Sequence, residues 1–157
     1  MNLTPRLDYT KASPEAVQAM YGLERVIRNS GLDPKIIELV KTRASQINGC
    51  AFCVDMHTKD ARAHGETEQR LYGLSAWRET PFYSEKERAA LAWTEALTNI
   101  QQGHAPDAVY EEVKQHFEEK DLMNLTIAIT TINAWNRIAI GFRVLPGSYQ
   151  PAAKAHV

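Results

Sequence analysis

Residues 38–57 read ELVKTRASQINGCAFCVDMH, and the order of their parts decides the fold class. Upstream of the two cysteines, Ile36, Ile37, Val40, Ala44 and Ile47 recur at helical spacing. Asp33-Pro34 opens that helix as a cap followed by proline at the first helical position, and Asn48-Gly49 closes it. A second helix then runs from about Cys50 to His64, where Gly65 stops it. A CxxC of the thioredoxin kind follows a β-strand. Here the preceding segment is an amphipathic helix, which excludes that fold.

The same punctuation continues in both directions. Ser13-Pro14-Glu15 begins a helix carrying Ala16, Met20, Leu23 and Ile27, with Gly31 as its stop. A short helix covers roughly Thr67 to Leu74. Ser84 caps another, with Ala89, Ala92, Trp93, Ala96, Leu97 and Ile100 on its face. Pro106 opens the next, which carries Val109, Tyr110, Val113 and Phe117. The last runs from about Asp121 to Phe142, and Pro146-Gly147 closes it. The β-branched run ITTIN (129–133) lies inside that helical pattern with no turn residues around it, so no strand is expected. The reading is one all-α domain over residues 1–157, with six to seven helices, a core from about 15 to 145 and a loosely ordered tail after about Tyr149.

In the last helix, Leu122, Leu125, Ile129, Ile132, Trp135, Ala139 and Phe142 cover one side, while Ile127, Ala134, Ile138 and Ile140 cover much of the rest. Only Thr126, Thr130, Asn133 and Arg137 form a polar stripe. A helix apolar nearly all round is buried nearly all round, either at a subunit interface or at the centre of the core.

A chain of 157 residues, 44% hydrophobic and 24% charged, buries a real core and needs no disulfide staple. A net charge of −1 argues against nucleic acid as the main partner. The N-terminal MNLTPRLDYTKASPE has no apolar core of a leader, and no apolar run reaches membrane-spanning length, so a soluble, cytoplasmic protein without a membrane partner is expected. In a reducing compartment a close cysteine pair is redox-active, catalytic or metal-binding more often than structural.

At about 100° per residue, Cys50, Cys53 and His57 fall within about a 60° arc of one helix face, and His64 continues the line. Cys50 lies in the first turn, where unsatisfied N–H groups and the helix dipole favour thiolate over thiol. His57 follows Cys53 by four residues, the spacing at which helical side chains touch. The set supplies two thiols able to link, a field that lowers one pKa, and a proton acceptor, as a reversible dithiol–disulfide centre requires. Glu38 is the candidate orienter of the histidine. Periodicity places it off the apolar stripe, which reads as a solvated glutamate; its same-face neighbours Thr42 and Ser45, small and uncharged, read instead as a face packed beside the cysteine helix. Two alternatives stand beside the redox centre. Zinc would take Cys50, Cys53 and His57 with His64, His104 or Glu38 as a fourth ligand in a structural protein, although three ligands on one helix face suit a tetrahedron poorly. Two inert core thiols are the other. Tyr21, Tyr72 and Tyr83 are candidates for an apolar entry or for core packing. Trp77, Trp93 and Trp135 sit at packing positions. His104, His116 and His156 read as surface residues.

Glu38 followed by Cys50-x-x-Cys53-x-x-x-His57, together with WRETPFYSEKERAALAWTEALT and the late INAWNR, resembles the alkylhydroperoxidase (AhpD-like) branch of the carboxymuconolactone decarboxylase superfamily over about residues 15 to 145. The resemblance implies an AhpD-like helical bundle assembled as a trimer or hexamer. It implies peroxidase chemistry on organic hydroperoxides, without cofactor or metal. In that scheme Cys53 attacks, His57 and Glu38 relay its proton, and Cys50 resolves the sulfenic acid into a disulfide. A dithiol donor of the dihydrolipoamide type resets the pair. The helix-dipole argument by itself favours Cys50 as the more acidic thiol. Phe52 stands where better-characterised members carry a second histidine between the cysteines. True decarboxylases of the superfamily lack the CxxC. A redox-sensing or stress-response oligomer using the same disulfide without peroxide turnover is the remaining alternative.

Overall fold

The computed structural model describes residues 3–152. Among them are eight α-helices and one 3-10 segment: α1 (Tyr9–Ala12), α2 (Pro14–Arg28), α3 (Pro34–Asn48), α4 (Ala51–Ala63), α5 (Glu68–Gly73), the 3-10 segment Leu74–Glu79, α6 (Glu85–Thr98), α7 (Asp107–His116) and α8 (Glu119–Phe142). The all-α expectation holds, with two additions. The single turn α1 forms because the Asp8 carboxylate accepts from the Thr10 backbone N–H at 3.1 Å. The 3-10 segment extends α5 through Trp77, whose ring is buried. Neither carries an apolar repeat long enough to be read from periodicity.

Local chemistry sets the helix ends. At α6, Ser84 Oγ accepts from the Glu87 N–H while the Glu87 carboxylate accepts from the Ser84 N–H, a reciprocal cap contributing about 1 kcal/mol. At α3, the Asp33 carboxylate accepts from the Lys35 N–H at 2.9 Å, and Pro34 occupies the first helical position. The helix ends at Gly49, whose φ of 71° lies in the left-handed region that side chains resist. The Cys50 N–H then turns back to the Ser45 carbonyl at 3.0 Å.

The central helix is α3, not α8. It packs against α4, α6 and α8, and nine of its fifteen residues are buried, including Glu38, Lys41, Thr42 and Ser45. In α8 the side bearing Leu125, Ala128, Ile129 and Ile132 is buried, whereas Met123 is 57% and Ile140 46% exposed. Its apolar girth is therefore only half covered within one chain.

The main core joins α2, α3, α6, α7 and α8 through Ile27, Val40, Ala90, Trp93, Leu125 and Ile129. A second cluster packs Trp77, Leu74 and Tyr83 on Leu39 and Leu91. The third gathers Ala44, Cys50, Cys53, Ile132 and Ala139, so the cysteines are embedded where α3, α4 and α8 meet.

Polar bonds lock this junction. Asn48 Nδ2 donates to Asn133 Oδ1 at 2.9 Å and to Asn136 Oδ1 at 2.8 Å, and Asn136 Nδ2 donates to Ser45 Oγ at 3.0 Å. Asn133 thereby ties α8 to the last residue of α3, two positions before Cys50. On the opposite side Glu95 accepts from Arg43 Nε at 2.8 Å, from Trp77 Nε1 at 2.9 Å and from Arg78, joining α3, α6 and the 3-10 segment. No helix among the described residues is long and apolar enough to cross a membrane.

Candidate active site

The left-handed Gly49 is what aims the cysteine helix. It lets the chain leave α3 and enter α4 with Cys50 at the N-cap, one step earlier than the first-turn position expected from sequence. There the sulfur replaces the usual oxygen of an N-cap and accepts from the Cys53 N–H at 3.4 Å. Cys50 and Cys53 are paired as a disulfide with Cα atoms 5.4 Å apart, and each is 1% exposed. The sulfurs face one another and are not turned into separate environments.

His57 is buried one turn further along α4. Its Nδ1 lies 2.8 Å from Glu38 Oε2. Glu38 is also buried, which corrects the solvated reading: α3 turns toward α4 the face made of Glu38, Thr42 and Ser45. The small neighbours let the cysteine helix approach. A carboxylate only accepts, so with Glu38 ionised Nδ1 carries the hydrogen, and in the neutral imidazole Nε2 keeps its lone pair. The four expected residues thus come together around one helix–helix contact.

Beside that contact lies a cavity of about 710 Å³. Cys53, His57 and Glu38 line it, whereas Cys50 does not. Phe52, Met56 and Ile37 supply apolar wall, and Tyr21 and Trp135, with ring centroids 5.6 Å apart, supply an aromatic one. Of the three candidate tyrosines, Tyr21 is the one at the cavity. Tyr72 is 70% exposed elsewhere, and Tyr83 belongs to the second core cluster. His64 borders the cavity, and the Trp77 and Trp93 rings are core. His104 is exposed and His116 half-buried. His156 lies outside the described residues.

Sequence reasoning missed three features of the wall. Lys41, one turn after Glu38, is buried and pairs with Glu24 at 2.5 Å, and the other Glu24 oxygen accepts from the Trp135 indole N–H at 3.1 Å. Asp60 follows His57 by three residues on the same face, a spacing that could have flagged it, and also borders the cavity. Tyr149 closes the cavity from the C-terminal segment, where a loose tail was expected: its hydroxyl donates to Asp60 Oδ1 at 2.7 Å. No periodic signal precedes it. Burial pushes the Asp60 carboxyl above its ordinary value; the Tyr149 hydrogen bond opposes this, and the Glu38 charge adds to it.

The zinc set weighed as an alternative does not converge. The metal-capable side-chain atoms that cluster among the described residues are those of Glu38, His57 and Asp60, without either sulfur.

The chain matches the carboxymuconolactone decarboxylase family model over residues 14–96. It is 45% identical to the uncharacterised protein YdfG of Bacillus subtilis over 138 residues, covering 88% of this chain and 94% of that one. It is 39% identical over 46 residues to the alkyl hydroperoxide reductase AhpD of Hyphomonas neptunium, covering 29% of this chain and 26% of that one. A crystal structure from Agrobacterium tumefaciens, of a protein of unknown function assigned to antioxidant defence as an AhpD candidate, superposes with a TM-score of 0.87 at 48% identity. That match covers 95% of this chain and 99% of the other.

Proposed function

Because this chain belongs to the carboxymuconolactone decarboxylase family, within its AhpD-like branch, we propose that it is a thiol-dependent peroxidase that reduces organic hydroperoxides with the Cys50–Cys53 pair. The observation that carries this reading is the Glu38–His57 contact of 2.8 Å at a cavity that Cys53 reaches and Cys50 does not.

His57 takes the Cys53 proton, and the resulting imidazolium is paired with Glu38. The thiolate attacks the terminal peroxide oxygen; the O–O bond breaks, the departing alkoxide takes the proton, and an alcohol and a Cys53 sulfenic acid result. The Cys50 thiol displaces water from that sulfenic acid, which forms the disulfide. An external dithiol, of the dihydrolipoamide type, returns both sulfurs to thiols and leaves as its own disulfide. The helix-dipole argument for Cys50 gives way to access, since an attacking sulfur must face the substrate. The apolar and aromatic wall suits an organic peroxide better than a small polar one, and Phe52 extends that wall where a histidine would add charge. No step needs a cofactor or metal.

The same reading places this single domain, core about 15–145, in the cytoplasm as a trimer or hexamer. The apolar surface left open on α8 by Met123 and Ile140 supports assembly with further copies.

The test is steady-state reduction of cumene hydroperoxide with dihydrolipoamide or dithiothreitol as donor. Cys53→Ser abolishes turnover, and Cys50→Ser stalls after one equivalent with a trapped sulfenic acid or mixed disulfide visible by mass. Normal turnover in both variants overturns the proposal. A disulfide that forms without turnover, and alters the oligomer on sizing, assigns the pair to redox sensing instead.

A further inference from the structure

We propose that Asp60 and Tyr149 are positioning residues for the proton relay: the Asp60 carboxylate is a second anionic partner of the His57 imidazolium, held there by the hydroxyl of Tyr149 from the chain's own C-terminal segment. The inference rests on the reading that His57 activates Cys53.

The geometry is specific. The side-chain donor atoms of Glu38, His57 and Asp60 all lie within 4.8 Å of one another, at a cavity lined by all three. Asp60 Oδ1 accepts from the Tyr149 hydroxyl at 2.7 Å. Tyr149 is itself fixed along the ridge of α4, where Lys59 Nζ donates to its carbonyl and the Gly147 N–H donates to the Asp55 carboxylate, each at 3.0 Å. Three bonds over residues 147–149 therefore seat this segment against the helix that carries the cysteines. Burial and the Asp60 carboxylate hold the Tyr149 phenol well above its ordinary range, so it remains a donor.

Two carboxylates this close, one buried and one half-buried, repel one another. A positive charge between them relieves that repulsion, and the imidazolium formed when Cys53 gives up its proton is such a charge. The other titratable groups at the cavity do not supply it. From α3, Lys41 is neutralised by Glu24 of α2 at 2.5 Å; Arg28 and Tyr21 of α2 are exposed, as is His64 at the C-cap of α4, whose charge acts on Asp60 less than that of His57 does; Tyr9 of α1 is uncharged, and α8 brings none. Asp60 also repels the thiolate, but more weakly. Cys53 lies seven residues away, about 10 Å along the helix, against less than 4.8 Å to the imidazole. Coulomb energy falls inversely with distance, so attraction to the imidazolium wins by about twofold.

The test reads Cys53 alone, in the Cys50→Ser background, as the pH dependence of iodoacetamide alkylation followed by mass. Asp60→Asn keeps an acceptor for Tyr149 and removes only the charge. It is expected to move the alkylation midpoint up by about one pH unit with the urea unfolding midpoint unchanged. Tyr149→Phe keeps the charge and removes the bond that holds it, and is expected to move the midpoint the same way by less. An Asp60→Asn profile that superposes on its parent, or a Tyr149→Phe shift larger than that of Asp60→Asn, overturns the inference and leaves the peroxidase reading standing. A parent midpoint at the ordinary thiol value of about 8.5 sinks both.

Discussion

Replacing Glu38 with glutamine tests the relay at its most buried link. Glutamine keeps the length of the side chain and an oxygen that accepts from His57 Nδ1, so the substitution removes charge and little else. The pair is 2.8 Å apart, with side-chain exposures of 6% for His57 and 11% for Glu38. Two unit charges with centres ~4 Å apart attract by about 4 kcal/mol at an effective dielectric of ~20, an upper bound on what glutamine forfeits. Hydrogen bonds to charged groups contribute about 1.5–3 kcal/mol and neutral ones about 1, which leaves a net loss of about 0.5–2 kcal/mol. That loss falls on the imidazolium, which exists only after proton transfer. It therefore appears as a rate, about 2- to 30-fold slower oxidation of Cys53. Stopped-flow mixing of reduced protein with cumene hydroperoxide, read by acid quench and mass, measures it. Parent-like oxidation by Glu38→Gln, with the variant folded, would refute the relay. A loss of activity that tracks a loss of folded protein would mean that Glu38 serves packing alone.

Two further predictions concern the frame that holds the site. Gly49→Ala places a side chain at a φ of 71° with nothing within 4 Å of its Cβ, so the cost is backbone strain and not collision, about 1–2 kcal/mol; urea unfolding should show that loss, and an unchanged midpoint would mean the turn relaxes freely. For Glu95, burial pushes the carboxyl up, but hydrogen bonds from Trp77, Arg78 and Arg43 more than offset it and hold the pKa below its ordinary value. A depressed folded-state pKa stabilises above the unfolded carboxylate value, about 4.3, and that stability is lost as pH falls through the folded value. Glu95→Gln should therefore destabilise by about 1–3 kcal/mol at pH 7, with the gap to parent narrowing below about pH 4; a gap independent of pH in urea titrations would contradict the assignment.

The relation between the relay and the tail bears on how such a site is built. Glu38, Cys53 and His57 belong to two helices joined by one glycine turn, so their meeting is nearly local. Asp60 and Tyr149 meet across most of the chain, by way of the length of α8 and the turn at its end, where Arg143 adopts a φ of 57°. On the proposed relay, changes within residues 147–149 reach the cysteines without altering the CxxC motif.

Where information is periodic or local, the amino-acid order was sufficient. Proline at first helical positions, glycine after last ones and apolar residues at helical spacing placed the main helices, because each signal acts within a turn or two of chain. The Cys50–Cys53–His57 face was legible for the same reason, since about 100° per residue is a property of the backbone. Burial was not legible, because it depends on what lies opposite. Glu38 and α3 looked half solvated until α4, α6 and α8 enclosed them, and α8 looked fully enclosed although one chain covers only half of it. The Lys41–Glu24–Trp135 chain of bonds and the seat of Tyr149 on Asp60 came from tertiary structure alone: they join residues 17, 111 and 89 positions apart, and no short-range pattern specifies which distant side chains will be neighbours once apolar surface is withdrawn from water.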